Sequence, residues 1–230
     1  MPVAVITGSG RGIGRAIALE LAKNKYDVVL NSRTKKELQK TEDEIKEIGR
    51  KTLAIEGDIT DYDLRKSIIR RTIKKFHRID VLINNAGVAW GGDFKDNSGK
   101  QIDAMVDINL KALMHLTKDV LPVMFKQKSG IIINISSVVG KIAHGGLAVY
   151  CGTKFGVIGF TEAIAEELKG KGIRVYAICP TGTESKMWEK LHPGDEAAHI
   201  PEDVAIEVRN LIKNPKKVAV GSAINVKKHV

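Results

Sequence analysis

Val3-Ala4-Val5-Ile6-Thr7-Gly8-Ser9-Gly10-Arg11-Gly12-Ile13-Gly14 passes from an apolar run straight into a glycine-rich turn, and a helix-period segment, 12–24, follows at once. A strand that stops at such a turn and hands over to a helix is a βα unit. Glycines accept positive φ angles and let the backbone approach a bound group. The helix start offers unpaired N–H groups and a positive dipole end, a seat for a phosphate. The spacing Gly8-x-x-x-Gly12-x-Gly14 differs from the G-x-G-x-x-G turn of other dinucleotide folds. Its place between strand and helix points to nucleotide binding; a tight βα turn without a ligand is the competing reading.

Outward from this unit the pattern repeats. Apolar runs at 3–6, 27–31, 52–56, 80–84, 130–135, 173–178 and 217–221 alternate with helix-period segments at 12–24, 35–48, 61–76, 102–126, 151–169 and 202–213. Alternating β and α predicts an α/β fold with a mostly parallel sheet covered by helices on both faces. Right-handed crossovers favour a doubly wound sheet with ligands at the carboxyl ends of its strands. The irregular stretch 181–200 reads as a loop or lid rather than a boundary, so 1–230 is expected to be one domain.

Composition agrees with that class. The chain has 230 residues, 43% hydrophobic and 28% charged, close to ordinary globular proportions. No apolar run reaches the ~20 residues of a membrane helix, and the N-terminus lacks the basic region and cleavage site of a signal peptide. Cys151, Cys179 and six scattered histidines have no metal-ligand spacing; the cysteines read as reduced thiols of a cytoplasmic protein. The net charge is +10, and its densest stretch is Arg70-Arg71-Thr72-Ile73-Lys74-Lys75. Leu64, Ile68, Ile69, Ile73 and Phe76 form the inward face of that helix, which leaves the basic residues on a solvated face rather than a nucleic-acid surface.

Asn31-Ser32-Arg33 ends the second strand without an acid. An acid there would bond the ribose 2′-hydroxyl of NAD and repel a 2′-phosphate. Arg33 and Arg11 are instead suited to bind that phosphate, with Ser32 adding a hydroxyl, which predicts NADP(H). The nearest acids, Asp27 and Glu37, are not expected where a free 2′-hydroxyl would lie. The competing reading of Arg33 is one more surface charge.

Three further pieces stand at strand ends or helix starts: Asn84-Asn85-Ala86-Gly87, Ser136-Ser137 and Tyr150-Cys151-Gly152-Thr153-Lys154. Tyr150 and Lys154 are i and i+4 and share a helix face. A nearby ammonium favours the phenolate and lowers the tyrosine pKa, which makes the pair a proton donor and acceptor.

In order and spacing, Thr7-Gly8-x-x-x-Gly12-Ile13-Gly14, Asp58-Ile59, Asn84-Asn85-Ala86-Gly87, Asn109, Ser137, Tyr150-x-x-x-Lys154 and a proline turn at Pro180 resemble the short-chain dehydrogenase/reductase family over nearly the whole chain. The resemblance implies a single Rossmann-type domain with a seven-stranded sheet. It implies that Tyr150 is the general acid in reduction and the base in oxidation. Ser137 would bond the substrate oxygen, where charge develops. Lys154 would hold the nicotinamide ribose and depress the Tyr150 pKa, and Asn109 would anchor a water linking Lys154 to solvent. Cofactor contacts carried over are Gly8, Ser9, Arg11, Gly12, Ile13, Gly14, Ser32, Arg33, Asp58, Ile59, Asn85, Ala86, Gly87, Tyr150, Lys154, Pro180, Thr181, Gly182, Thr183 and Ser185. Asp58 has a second reading as a cap for the helix near Asp61, and Asn109 as a residue bonding its own backbone.

The last quarter departs from the family. Thr181 replaces the usual glycine after Pro180, where a positive φ would strain it. The lid is short, and little chain follows the last strand. Trp90, Val138, His144, Met187 and Trp188 flank the chemistry and are the expected pocket wall, an apolar one suited to a small uncharged carbonyl or secondary alcohol. The family likeness also implies a homodimer or homotetramer paired through 102–126 and 151–169, with Met114, Leu121, Phe155 and Ile158 as candidates. The leading expectation is an NADP(H)-dependent oxidoreductase of C=O and CH–OH groups. The rivals are a non-catalytic NADP(H)-binding or regulatory protein on the same fold and a basic nucleic-acid binder.

Overall fold

Residues along a strand point alternately to opposite faces, and in this chain both faces are apolar, so the sheet needs a helical layer on each side. The computed structural model, which describes residues 1–229, has seven strands: β1 (Val3–Thr7), β2 (Asp27–Ser32), β3 (Thr52–Glu56), β4 (Val81–Asn84), β5 (Gly130–Ile135), β6 (Ile173–Cys179) and β7 (Ala223–Asn225). Its helices are α1 (Gly12–Lys23), α2 (Lys35–Glu47), α3 (Tyr62–Phe76), α4 (Gly99–Val106), α5 (Ala112–Gln127), α6 (Ala148–Glu167), α7 (Lys186–Leu191) and α8 (Pro201–Lys213). All strands are parallel, in the order β3-β2-β1-β4-β5-β6-β7. This is the doubly wound Rossmann-type sheet.

The alternation supplies two cores. Ala4, Ile6, Leu30, Ile83 and Ile133 pack with α1, α2 and α8 on one face. Val3, Val5, Val29, Leu82 and Ile132 pack with α3, α5 and α6 on the other. Ile6 and Ile83 are fully buried, and truncating either to alanine costs about 2–5 kcal/mol. Strand order reverses between β1 and β4, which opens a crevice at their carboxyl ends.

Three expectations are corrected. The apolar run 217–221 is not a strand. Pro215–Lys217 forms a 3₁₀ turn, Gly221 turns at φ +88°, and the ladder to β6 starts only at Ala223. Val218 in that run packs against the first core, so its apolar character serves packing rather than pairing. The segment 102–126 is not one α-helix. It begins at Gly99 behind a Ser98/Gln101 capping box and widens into a π-helical turn over Asp107–Lys111 before α5. Short α7 lies inside the stretch read as irregular.

Candidate active site

Gly8 and Gly12 adopt φ +64° and +54°, a region closed to most side chains. Behind the turn, Asn85 Nδ2 donates to the carbonyls of Thr7 at 2.9 Å and Gly8 at 3.2 Å, while Thr7 Oγ1 accepts from the N–H groups of Asn85 and Ala86, both at 3.0 Å. A Cβ on Gly14 would collide with the Gly8 carbonyl and come within 2.5 Å of Asn85 Nδ2. A Cβ on Gly12 would meet nothing closer than Ser185 Cβ at 3.9 Å among the described residues, and the N-cap residue Arg11 makes no side-chain capping bond to α1. Gly12 thus faces open space beside uncapped N–H groups, and the residues present fit a dinucleotide pyrophosphate. Ser9 does not share that space: it is fully buried, and its hydroxyl accepts from Asn31 N at 3.0 Å, which fastens the turn to β2.

The crevice is a cavity of about 790 Å³ running from Arg33 to Trp188. At one end Arg33 pairs with Asp58 at 3.4 Å, and Arg11 pairs with Glu37 at 3.2 Å. Asp27 lies at the far end of β2, paired with Arg50 at 2.6 Å. Glu37, in the first turn of α2, also lines the cavity. Asp58 does not cap α3, since Asp61 does, accepting from Leu64 N at 3.0 Å. Asp58 accepts from Thr60 N and Oγ1; partial burial raises its carboxyl, but those bonds and Arg33 hold it below the usual range. Buried Arg65 donates to the carbonyls of Ile59 at 2.8 Å and Thr60 at 2.7 Å, propping this loop from behind. Sequence reasoning missed Arg65 because its helix face reads as apolar.

At the other end Tyr150 sits in the first turn of α6, which begins three residues earlier than expected. It faces Ser137, the N-cap of a 3₁₀ turn that follows β5, whose hydroxyl donates to the Pro180 carbonyl at 3.4 Å. Tyr150 stays partly open to the cavity, yet the atoms packed around it push its pKa up to about 12, with Ser137 opposing. Lys154 is buried, its Nζ donates to the Ile135 carbonyl at 2.8 Å, and burial pulls its pKa down to about 8. Nζ lies 5.5 Å from the centre of the Tyr150 ring. Burial is thus the largest influence on the phenol in this arrangement. Ser136 donates to the Lys154 carbonyl at 2.9 Å and anchors α6 to β5. Asn109 lies behind the cavity wall, where Oδ1 accepts from Val88 N at 2.8 Å and Nδ2 donates to Val88 O at 2.9 Å and Thr153 Oγ1 at 3.2 Å.

The lid closes over both ends. Thr183 forms a parallel bridge to His199, and Ser185 caps α7 by accepting from Trp188 N at 3.0 Å. Thr181 is not in the left-handed region, so no strain arises there. The crowded position is Gly182, where a Cβ would lie 2.5 Å from the Trp188 ring. Val138, His144, Met187 and Trp188 line the cavity, as do Leu147, Leu191 and Lys186, which the sequence did not single out. Trp90 does not; its ring lies 5.0 Å beneath Lys190 Nζ at the lid edge.

A family model described as short chain dehydrogenase matches residues 2–196. The chain belongs to the short-chain dehydrogenase family. Similar members include the 3-oxoacyl-(acyl-carrier-protein) reductase FabG of Staphylococcus aureus, 36% identical, with 97% of this chain and 95% of the relative covered. The corresponding reductase of Synechocystis is also 36% identical, over 97% and 94%. The solved structure of levodione reductase superposes with a TM-score of 0.92 at 25% identity, covering 98% of this chain and 96% of that one. As a short-chain dehydrogenase the chain is of an oxidoreductase family. Of the residues carried over from the family motifs, all but Ser9 and Asn109 line the one cavity.

Proposed function

We propose that this short-chain dehydrogenase is an NADP(H)-dependent oxidoreductase that interconverts a carbonyl and a secondary alcohol. The observation that carries the reading is that Tyr150, Ser137 and Lys154 meet in the same cavity that ends at Arg11 and Arg33. NADPH, when bound, supplies the hydride. Arg33, Arg11 and Ser32 hold its 2′-phosphate, the glycine turn its pyrophosphate, and Lys154 its nicotinamide ribose. In reduction Tyr150 Oη gives its proton to the substrate oxygen while the Ser137 hydroxyl donates to the same oxygen. With a phenol pKa of about 12, Tyr150 carries that proton at neutral pH. The phenolate left behind is stabilised by the Lys154 ammonium.

The relatives' names make a 3-oxoacyl group the first carbonyl to test, and Val138, Met187 and Leu147 give its chain an apolar wall. Free, buried Cys151 and Cys179 support a cytoplasmic setting. The reading includes a homodimer or homotetramer and requires neither nucleic acid nor membrane. Tyr150→Phe is expected to cut kcat by about 10²-fold or more while leaving NADPH affinity intact. Steady-state kinetics with a fluorescence titration checks this, and near-normal turnover refutes the role. Arg33→Ala is expected to weaken NADPH about tenfold or more and NADH little. Equal efficiency with NADH in the unaltered protein would overturn the choice of cofactor.

A further inference from the structure

Glu37 makes two bonds across the mouth of the cavity. Its Oε1 accepts from Arg11 of the glycine turn at 3.2 Å and from Lys186 of the lid at 3.1 Å. The three residues come from different elements, and Lys186 opens α7 directly after Ser185, the residue nearest to Gly12. A neighbouring pair, Arg33 and Asp58, lies in the same cavity. Arg11, Lys186 and Arg33 thus meet the carboxylates of Glu37 and Asp58, and Glu184 lines the same cavity. Partial burial pulls the Glu37 carboxyl upward, but the Lys186 and Arg11 bonds outweigh it and hold it below the usual range, so it is ionised at neutral pH.

An ionised carboxylate shared by two cations is a compact anion in a cationic notch. A phosphate monoester is a stronger one, with a charge of about −1.5 to −2 and three acceptor oxygens. Arg11 and Lys186 are long and mostly exposed, with side-chain exposures of 57% and 72%, so both can turn from one anion to another without disturbing the core. Glu37 is held more tightly, at 24%.

We propose that Lys186 is a third cationic ligand of the cofactor's 2′-phosphate, delivered by the lid, and that Glu37 is the counter-ion that holds Lys186 and Arg11 until this phosphate displaces it. This rests on the NADP(H) reading above and adds a specificity residue to it from a part of the chain far from β2. It also makes lid position depend on the phosphate: without the phosphate, α7 is tethered to α2 through Glu37; with it, α7 is tethered to the cofactor.

The test is binding, read by fluorescence titration of NADPH and NADH and by calorimetry with adenosine 2′,5′-bisphosphate and 5′-AMP. Lys186→Met is expected to weaken NADPH and the bisphosphate about five- to tenfold and to change NADH and 5′-AMP less than twofold, as for one partly exposed charge-assisted contact. Lys186→Arg keeps the charge and is expected to keep the preference. Glu37→Gln removes the competing anion and is expected to tighten NADPH and the bisphosphate selectively. Loss shared equally by both cofactors in Lys186→Met, or no loss, overturns the assignment; weaker NADPH in Glu37→Gln overturns the counter-ion role. If Arg33→Ala is selective and Lys186→Met is not, only this inference fails. If the unaltered protein binds NADH as well as NADPH, the cofactor reading fails with it.

Discussion

Lys154 carries a stability cost that its sequence neighbours do not announce. Its pKa falls from 10.5 to about 8 because burial disfavours the ammonium. Between those two values the unfolded chain holds a proton that the folded chain has released, so this group makes stability rise with pH across that window; below pH 8 the penalty is fully present. Lys154→Met is therefore expected to stabilise the cofactor-free protein by about 2 kcal/mol at pH 7 while abolishing turnover, the gain shrinking toward pH 10. Thermal melting at several pH values checks it, and a destabilised Lys154→Met protein at pH 7 would show that the Ile135 carbonyl bond outweighs desolvation. Tyr150 shows the same environment from the other sign of charge: burial keeps its proton on, as an acid for reduction requires.

Among the elements, the π-helical turn does the positioning. Its wider winding turns Asn109 inward, to 1% exposure, in a segment that otherwise alternates like an ordinary helix. The Asn109 amide then ties the π-helical turn to two pieces: the Val88 backbone through both its N–H and its carbonyl, and Thr153 on α6, whose hydroxyl donates to the Tyr150 carbonyl at 2.8 Å. Asn109→Ala leaves the Val88 groups without their partner and is expected to cost about 1–3 kcal/mol of stability. A denaturant midpoint unchanged from the parent would show that water replaces the amide fully. The drop in kcat should exceed any change in NADPH affinity, because the strain falls on the helix start that carries Tyr150.

At the scale of the whole molecule, α6 presents Phe155 at 43% exposure, with Val106 of α4 at 39%. Met114 and Ile158 are half-buried, and Leu121 packs against the second core, so Phe155 is the strongest of the four contact candidates. A self-associated form is expected to pair this face about a two-fold axis. Light scattering on the parent should then give at least twice the 25.1 kDa of one chain, and Phe155→Glu should shift it toward one, because a carboxylate at a closed apolar contact cannot keep its water. A parent mass near that of a single chain would end the idea.

Much of this arrangement was decided locally. Continuous apolar runs between helical periods can be buried only in a two-faced parallel sheet, and the glycine turn at 8–14 needs its residues whatever lies around it. Hence the α/β fold, the crevice end of β1 and the positions of Ser137, Tyr150 and Lys154 were legible in the chain. Tertiary structure decided what depends on residues far apart in sequence. Apolar Val218 served packing while the edge strand formed later, at 223–225, because hydrogen bonding to β6 depends on the turn at Gly221. Ser9 was drawn off to β2, and Trp90 out of the cavity to Lys190. Glu37 and Lys186, 149 residues apart, met across the cavity mouth. No local pattern encodes such a meeting, since charge pairs form wherever the packed helices bring long side chains within reach. The proton affinities of Tyr150 and Lys154 followed the same rule: burial by the whole fold raises the one and lowers the other.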